Sequence, residues 1–142
     1  MQDPAIFAPF LGMMLLTLAV WLLMYTRRLS FLFKNNKIDY RTINTRDKAA
    51  GVLPEEISYA SDNLKNLFEF PLLFYAICIY LFITASVDTP NLVAAWWFFG
   101  FRIVHSYIHC TSNVVPHRFG VYVISAIGLC FMVVRAAIQR FG

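Results

Sequence analysis

Charge is scarce in this chain. Lysine, arginine, aspartate and glutamate together make up 14% of its 142 residues, against roughly 25% in an ordinary soluble domain. Hydrophobic residues make up 59% and aromatic residues 17%. That balance excludes a water-soluble globular domain and leaves one small polytopic membrane domain over residues 1–142. Cysteine is also scarce. Cys78, Cys110 and Cys130 lie within or at the end of apolar runs and show no CxxC spacing. A disulfide framework is excluded, and the three read as small buried apolar residues. The net charge of +4 is modest. Its basic residues gather mostly in one loop between apolar segments, which excludes a nucleic-acid partner. Internal repeats and low-complexity segments are lacking. The N-terminus, Met1-Gln2-Asp3, lacks a positive leader, so no cleaved signal peptide is expected.

What the chain does have is four long apolar segments, over about 5–25, 55–85, 90–109 and 117–137. Each is near the ~20 residues that a bilayer crossing needs. Asp3 and Pro4 suit a helix start, and Arg27 and Arg28 mark the expected end of the first helix. Leu53-Pro54-Glu55-Glu56 looks like the start of the second, with acids in the first turn, where the helix dipole favours them. Pro71 lies inside that segment, and a kink is expected beside Glu69. Thr89-Pro90 caps the third segment and Pro116 opens the fourth. Short turns at 86–91 and 110–117 force antiparallel neighbours. The expected architecture is an all-α, up-down-up-down bundle of four transmembrane helices. The first loop carries Lys34, Lys37, Arg41, Arg46 and Lys48, whereas the 86–91 turn has no lysine or arginine. The positive-inside rule therefore puts the first loop and the 110–117 turn in the cytoplasm and both termini on the opposite side.

Two polar stripes interrupt the apolar segments. Arg102, His105, Ser106 and His109 share one face of a helix by their spacing, as do Asp62, Lys65, Asn66 and Glu69. A charge inside a membrane helix costs about 2.5–3.5 kcal/mol on insertion scales, so it faces a partner or a wet cavity. A polar pocket is the expected result. Asn66 and Glu69 can clamp an amine or amide jointly. Alternatively, Glu69 locks the bundle by pairing with Arg102, and the two readings are compatible. His105 and His109 have the spacing of two metal ligands, but nothing fixes a third, so no metal is expected. Arg118 stands at the entry of the fourth segment with Tyr122 one turn later. A guanidinium beside a helix N-terminus is electropositive enough to stabilise a thiolate.

Arg102-x-x-His105-x-x-x-His109, then Arg118-x-x-x-Tyr122, resembles the third and fourth helices of the MAPEG family, the membrane-associated proteins of eicosanoid and glutathione metabolism. Lys65-Asn66-x-x-Glu69 followed by Pro71 resembles the second helix of its microsomal glutathione transferase and prostaglandin E synthase branch. The resemblance implies a homotrimer in membrane lipid, with glutathione as co-substrate in a cytoplasm-facing pocket between subunits. It also implies a lipophilic small-molecule electrophile as acceptor. Arg118 would hold the sulfur as thiolate. Lys65, Asn66, Glu69, His105, His109 and Tyr122 would line the site, and Arg27 or Arg28 would contact a glutathione carboxylate. Lys65 stands where the family has arginine, His109 where it has tyrosine, and Phe119 where prostaglandin E synthases have serine. The rivals to this reading are a non-catalytic membrane scaffold of the same fold and a small transporter.

Overall fold

The computed structural model describes residues 3–35, 48 and 51–142. The expected basic residues Lys37, Arg41 and Arg46 lie outside them. The described residues are all-helical, with four long helices and no strands. A short 3-10 turn, Pro4–Ile6, leads into α1, Phe7–Lys34; α2 is Glu55–Ile83, α3 is Thr89–Cys110 and α4 is Val115–Phe141.

Local chemistry explains the ends. The Asp3 side chain accepts the Ala5 N–H, with Pro4 in the first turn. Glu55 and Glu56 occupy the first turn of α2. Helix α3 is capped by Asp88, whose carboxylate accepts the Asn91 N–H. This moves the cap one residue before the expected Thr89, because the Asp88 carboxylate reaches forward past Pro90, which has no N–H to offer, to the Asn91 N–H. Helix α1 runs on to Lys34 instead of ending near Tyr25. Arg27 and Arg28 mark where the helix leaves an apolar environment, and a helix does not stop at that boundary. Helix α2 continues as one element through Pro71.

Cross-helix contacts fix the topology. Phe7 meets Phe82, and Phe10 meets Tyr75, so α1 and α2 run antiparallel. Arg27 reaches Cys110 and Gly12 lies under the Phe99 ring, so α1 and α3 run parallel. Trp97 donates to the Ile124 carbonyl and Arg135 pairs with Asp88, so α3 and α4 run antiparallel. The result is the expected up-down-up-down bundle. Helices α3 and α4 approach closely at Gly128. A Cβ there would sit 2.9 Å from the Ala94 carbonyl oxygen.

The interior holds Met13, Leu67, Phe74, Phe98, Leu129 and Met132, with Phe74 and Phe98 stacked at 4.6 Å. The outside is equally apolar: Leu15, Phe68, Leu72, Ile83, Val93 and Ile127 are all more than half exposed. A bundle apolar inside and out is built for lipid. The first, second and fourth helices are long and apolar enough to cross a membrane. Helix α3 has the length, at 22 residues, but carries the polar stripe. Asn91, Arg102, His105, Ser106 and His109 are all buried, so its polar face turns inward.

Candidate functional site

The ends of α1 and α3 and the starts of α2 and α4 meet at one end of the bundle, and the polar groups converge there. The α3–α4 turn is decisive. Asn113 adopts a left-handed backbone, φ 51°, which asparagine tolerates better than most residues. Its N–H closes on the Ile108 carbonyl at 2.8 Å, and its side-chain oxygen accepts from the Arg118 guanidinium. Arg118, in the first turns of α4, also donates from Nη1 to His109 Nε2 at 2.9 Å. His109 Nδ1 lies 3.4 Å from the Asn66 amide, and His105 Nδ1 lies 2.9 Å from the Arg118 carbonyl.

These contacts assign protons. A guanidinium only donates, so His109 Nε2 accepts from Arg118. A carbonyl only accepts, so His105 donates from Nδ1. Its Nε2 is left as a buried lone pair with no partner among the described residues. Asn66, His105, Val115, Arg118, Phe119 and Tyr122 line a cavity of about 300 Å³. The cavity thus offers a cation and an amide beside the His105 ring.

Arg102 lies behind this cavity. It is 0% exposed, and its guanidinium rests 4.6 Å from the Tyr122 ring centroid and 5.3 Å from that of Phe98. None of its three side-chain nitrogens has a hydrogen-bond partner among the described residues. The expected Glu69–Arg102 pair is therefore not formed within the chain. Glu69 is exposed, because the inward face of α2 is taken by Asn63, Leu67, Phe74 and Cys78. Lys65 is exposed for the same reason and pairs with Asp62 at 2.7 Å. Of the α2 stripe, only Asn66 joins the site. Arg27 does not reach this cavity either. It donates to the Cys110 carbonyl at 2.8 Å on a different side of α3 from His109.

Asn113 escaped the sequence reading. The available signal was an asparagine in the short α3–α4 turn, since asparagine visits the left-handed region more readily than most residues.

The MAPEG family model matches residues 6–138, nearly the whole chain. The chain belongs to the MAPEG family. MAPEG proteins are membrane proteins, and the family includes glutathione transferases and related enzymes. No curated protein and no solved structure matches the chain. The residues that carried the resemblance divide in this MAPEG chain. Asn66, His105, His109, Arg118 and Tyr122 assemble, while Lys65 and Glu69 face outward from the same end of α2.

Proposed function

We propose that this MAPEG chain is a glutathione-dependent membrane enzyme, a transferase or peroxidase acting on a lipophilic electrophile. The observation that carries the reading is Arg118, held at the α4 entry by Asn113 and His109 beside the cavity of Asn66, His105 and Tyr122. A guanidinium fixed by two acceptors keeps its remaining N–H groups aimed without reorganisation, which is how charge stabilisation gains strength. Beside it, a thiol releases its proton to water and remains as thiolate. In transfer, the sulfur lone pair forms a carbon–sulfur bond as the leaving group departs with its electrons. In peroxide reduction, two thiols become a disulfide while the hydroperoxide becomes an alcohol and water. Asn66 offers its amide to the tripeptide backbone, and Tyr122 walls the sulfur from lipid.

The outward Lys65 and Glu69 support a site completed by neighbours in a homotrimer. Each neighbour brings its own surface to these charges, and the basic end of the bundle faces the cytoplasm. The test is thiolate absorbance in the ultraviolet on adding glutathione near neutral pH. A guanidinium in contact moves a thiol down from its usual pKa of about 8.5. Wild type develops the band, Arg118→Leu loses it together with conjugation to a model electrophile, and Arg118→Lys keeps part of both. Wild type that binds no glutathione would favour the scaffold.

A further inference from the structure

A second cavity occupies the opposite side of the same end. It has a volume of about 700 Å³, and its walls include Arg27, Ser30, Lys34, Glu56, Tyr59 and Thr111. Among the described residues, it shares no lining residue with the Arg118 cavity. Three of its residues, Arg27, Cys110 and Thr111, also line a third cavity of about 280 Å³, a groove between α1 and α3 walled by Leu16, Ala19, Val20, Leu23 and Ile103. The two therefore join end to end along one helix face. Depth sorts them. On α1 the groove runs from residue 16 and meets the chamber, residues 26–34, at Arg27, while along α3 it begins at Ile103 and meets the chamber at Cys110 and the turn residue Thr111. At 1.5 Å per residue, Leu16 to Lys34 spans about 27 Å. That is somewhat more than one leaflet, whose hydrocarbon is about 15 Å thick with a headgroup layer beyond it.

We propose that this continuous chamber and groove is a binding site for one membrane aminophospholipid, with its phosphate on Arg27 and Lys34, its amine toward Glu56, and an acyl chain between α1 and α3. Basic pockets between membrane helices bind lipid phosphates. Arg27 is preorganised for this. One N–H is spent on the Cys110 carbonyl at 2.8 Å, which fixes the guanidinium and leaves its other donors for the cavity. Ser30, Tyr59 and Thr111 supply hydroxyls. Glu56 on the same wall opposes a head of bare negative charge and favours one that also carries an ammonium group. The bilayer supplies such a molecule in the orientation that a polar chamber above an apolar groove requires, head at the interface and chain in the core.

The test uses the full chain in mild detergent, read by native mass spectrometry and by thermal unfolding after delipidation and re-addition. The lipids added are phosphatidylethanolamine or phosphatidylglycerol, with inorganic phosphate as the headless control. Wild type should retain one phosphatidylethanolamine per chain and be stabilised by it more than by phosphatidylglycerol. Lys34→Gln should weaken retention about fivefold, the worth of one basic contact near a lipid surface. Ala19→Phe, which fills the groove from its exposed side, should abolish retention, and both variants should bind glutathione as wild type does. Equal stabilisation by inorganic phosphate would reduce the site to an anion pocket and overturn the proposal. So would retention unaffected by Ala19→Phe, or loss of an oligomer in that variant, which would make the groove a seam between subunits.

Discussion

Asn113 does two jobs with one side chain. Its left-handed backbone lets α3 turn into α4, and its amide oxygen holds Arg118. The two roles separate by substitution. Asn113→Gly keeps the turn, since glycine adopts positive φ freely, but removes the acceptor. Thermal stability should stay within about 0.5 kcal/mol of wild type, while the glutathione thiolate band weakens because Arg118 is no longer pinned. Asn113→Val should lower both, since a β-branched residue is strained there. An unchanged thiolate band in Asn113→Gly would remove the residue from the site. Helical spacing made His105 and His109 legible, and the place at a helix entry together with the family resemblance did so for Arg118. Asn113 was not legible in this way. Its importance lies in a backbone angle, and the sequence of a four-residue turn does not state one.

Helix ends carry the next level of organisation. At the end of the bundle away from the site, Asp88 caps α3 and pairs with Arg135 of α4. Partial burial pushes this carboxyl up, but the Asn91 N–H and the Arg135 guanidinium more than offset it and hold Asp88 below the usual carboxylate range. The folded form therefore binds this proton less readily than the unfolded chain does. The contribution to stability is full above the unfolded value of about 3.9 and is lost as pH falls from there through the lowered folded value. Asp88→Asn keeps a good cap but no charge. It should cost about 0.5 kcal/mol near neutrality and flatten the acid limb below pH ~4, measured as melting temperature against pH. An acid limb identical to wild type would show that Asp88 is not the group titrating. This end was half legible: the Pro90 turn was plain, but a pair 47 residues apart leaves no local pattern. Helix α2 shows the complementary failure. Its polar residues could face inward through Asn63 and Asn66 or through Asp62, Lys65 and Glu69, and helical periodicity is silent on which face meets the neighbours.

At the scale of the whole molecule, a membrane bundle that turns Glu69 outward needs something to meet it, because lipid does not. A homotrimer would meet it, and native mass spectrometry in mild detergent should find three copies together. Glu69→Leu separates the alternatives. A residue facing lipid gains stability on losing its charge, whereas one paired across a subunit seam leaves its partner unsatisfied, at about 3–5 kcal/mol. The trimer should therefore dissociate at higher protein concentration in the variant. A persistently monomeric wild type, or a Glu69→Leu assembly as tight as wild type, would remove the seam. The order of helices, the short turns and the membrane setting were all legible, since they depend on where apolar runs start and stop. The packing partners were not, because side chains far apart in the chain decide them.

The inward-turned polar face of α3 has a consequence for how the protein is made. Arriving alone in the bilayer, α3 would expose Asn91, Arg102, His105, Ser106 and His109 to hydrocarbon, with Arg102 by itself costing about 2.5–3.5 kcal/mol. Helix α4 comes after a turn of only four residues, 111–114, and the α3–α4 seam is already tight at Gly128. The insertion machinery thus receives a hairpin whose second arm shields the first. Insertion of α3 is therefore expected to depend on α4, and a chain truncated before Val115 should insert its third helix less fully, which glycosylation-site mapping would check.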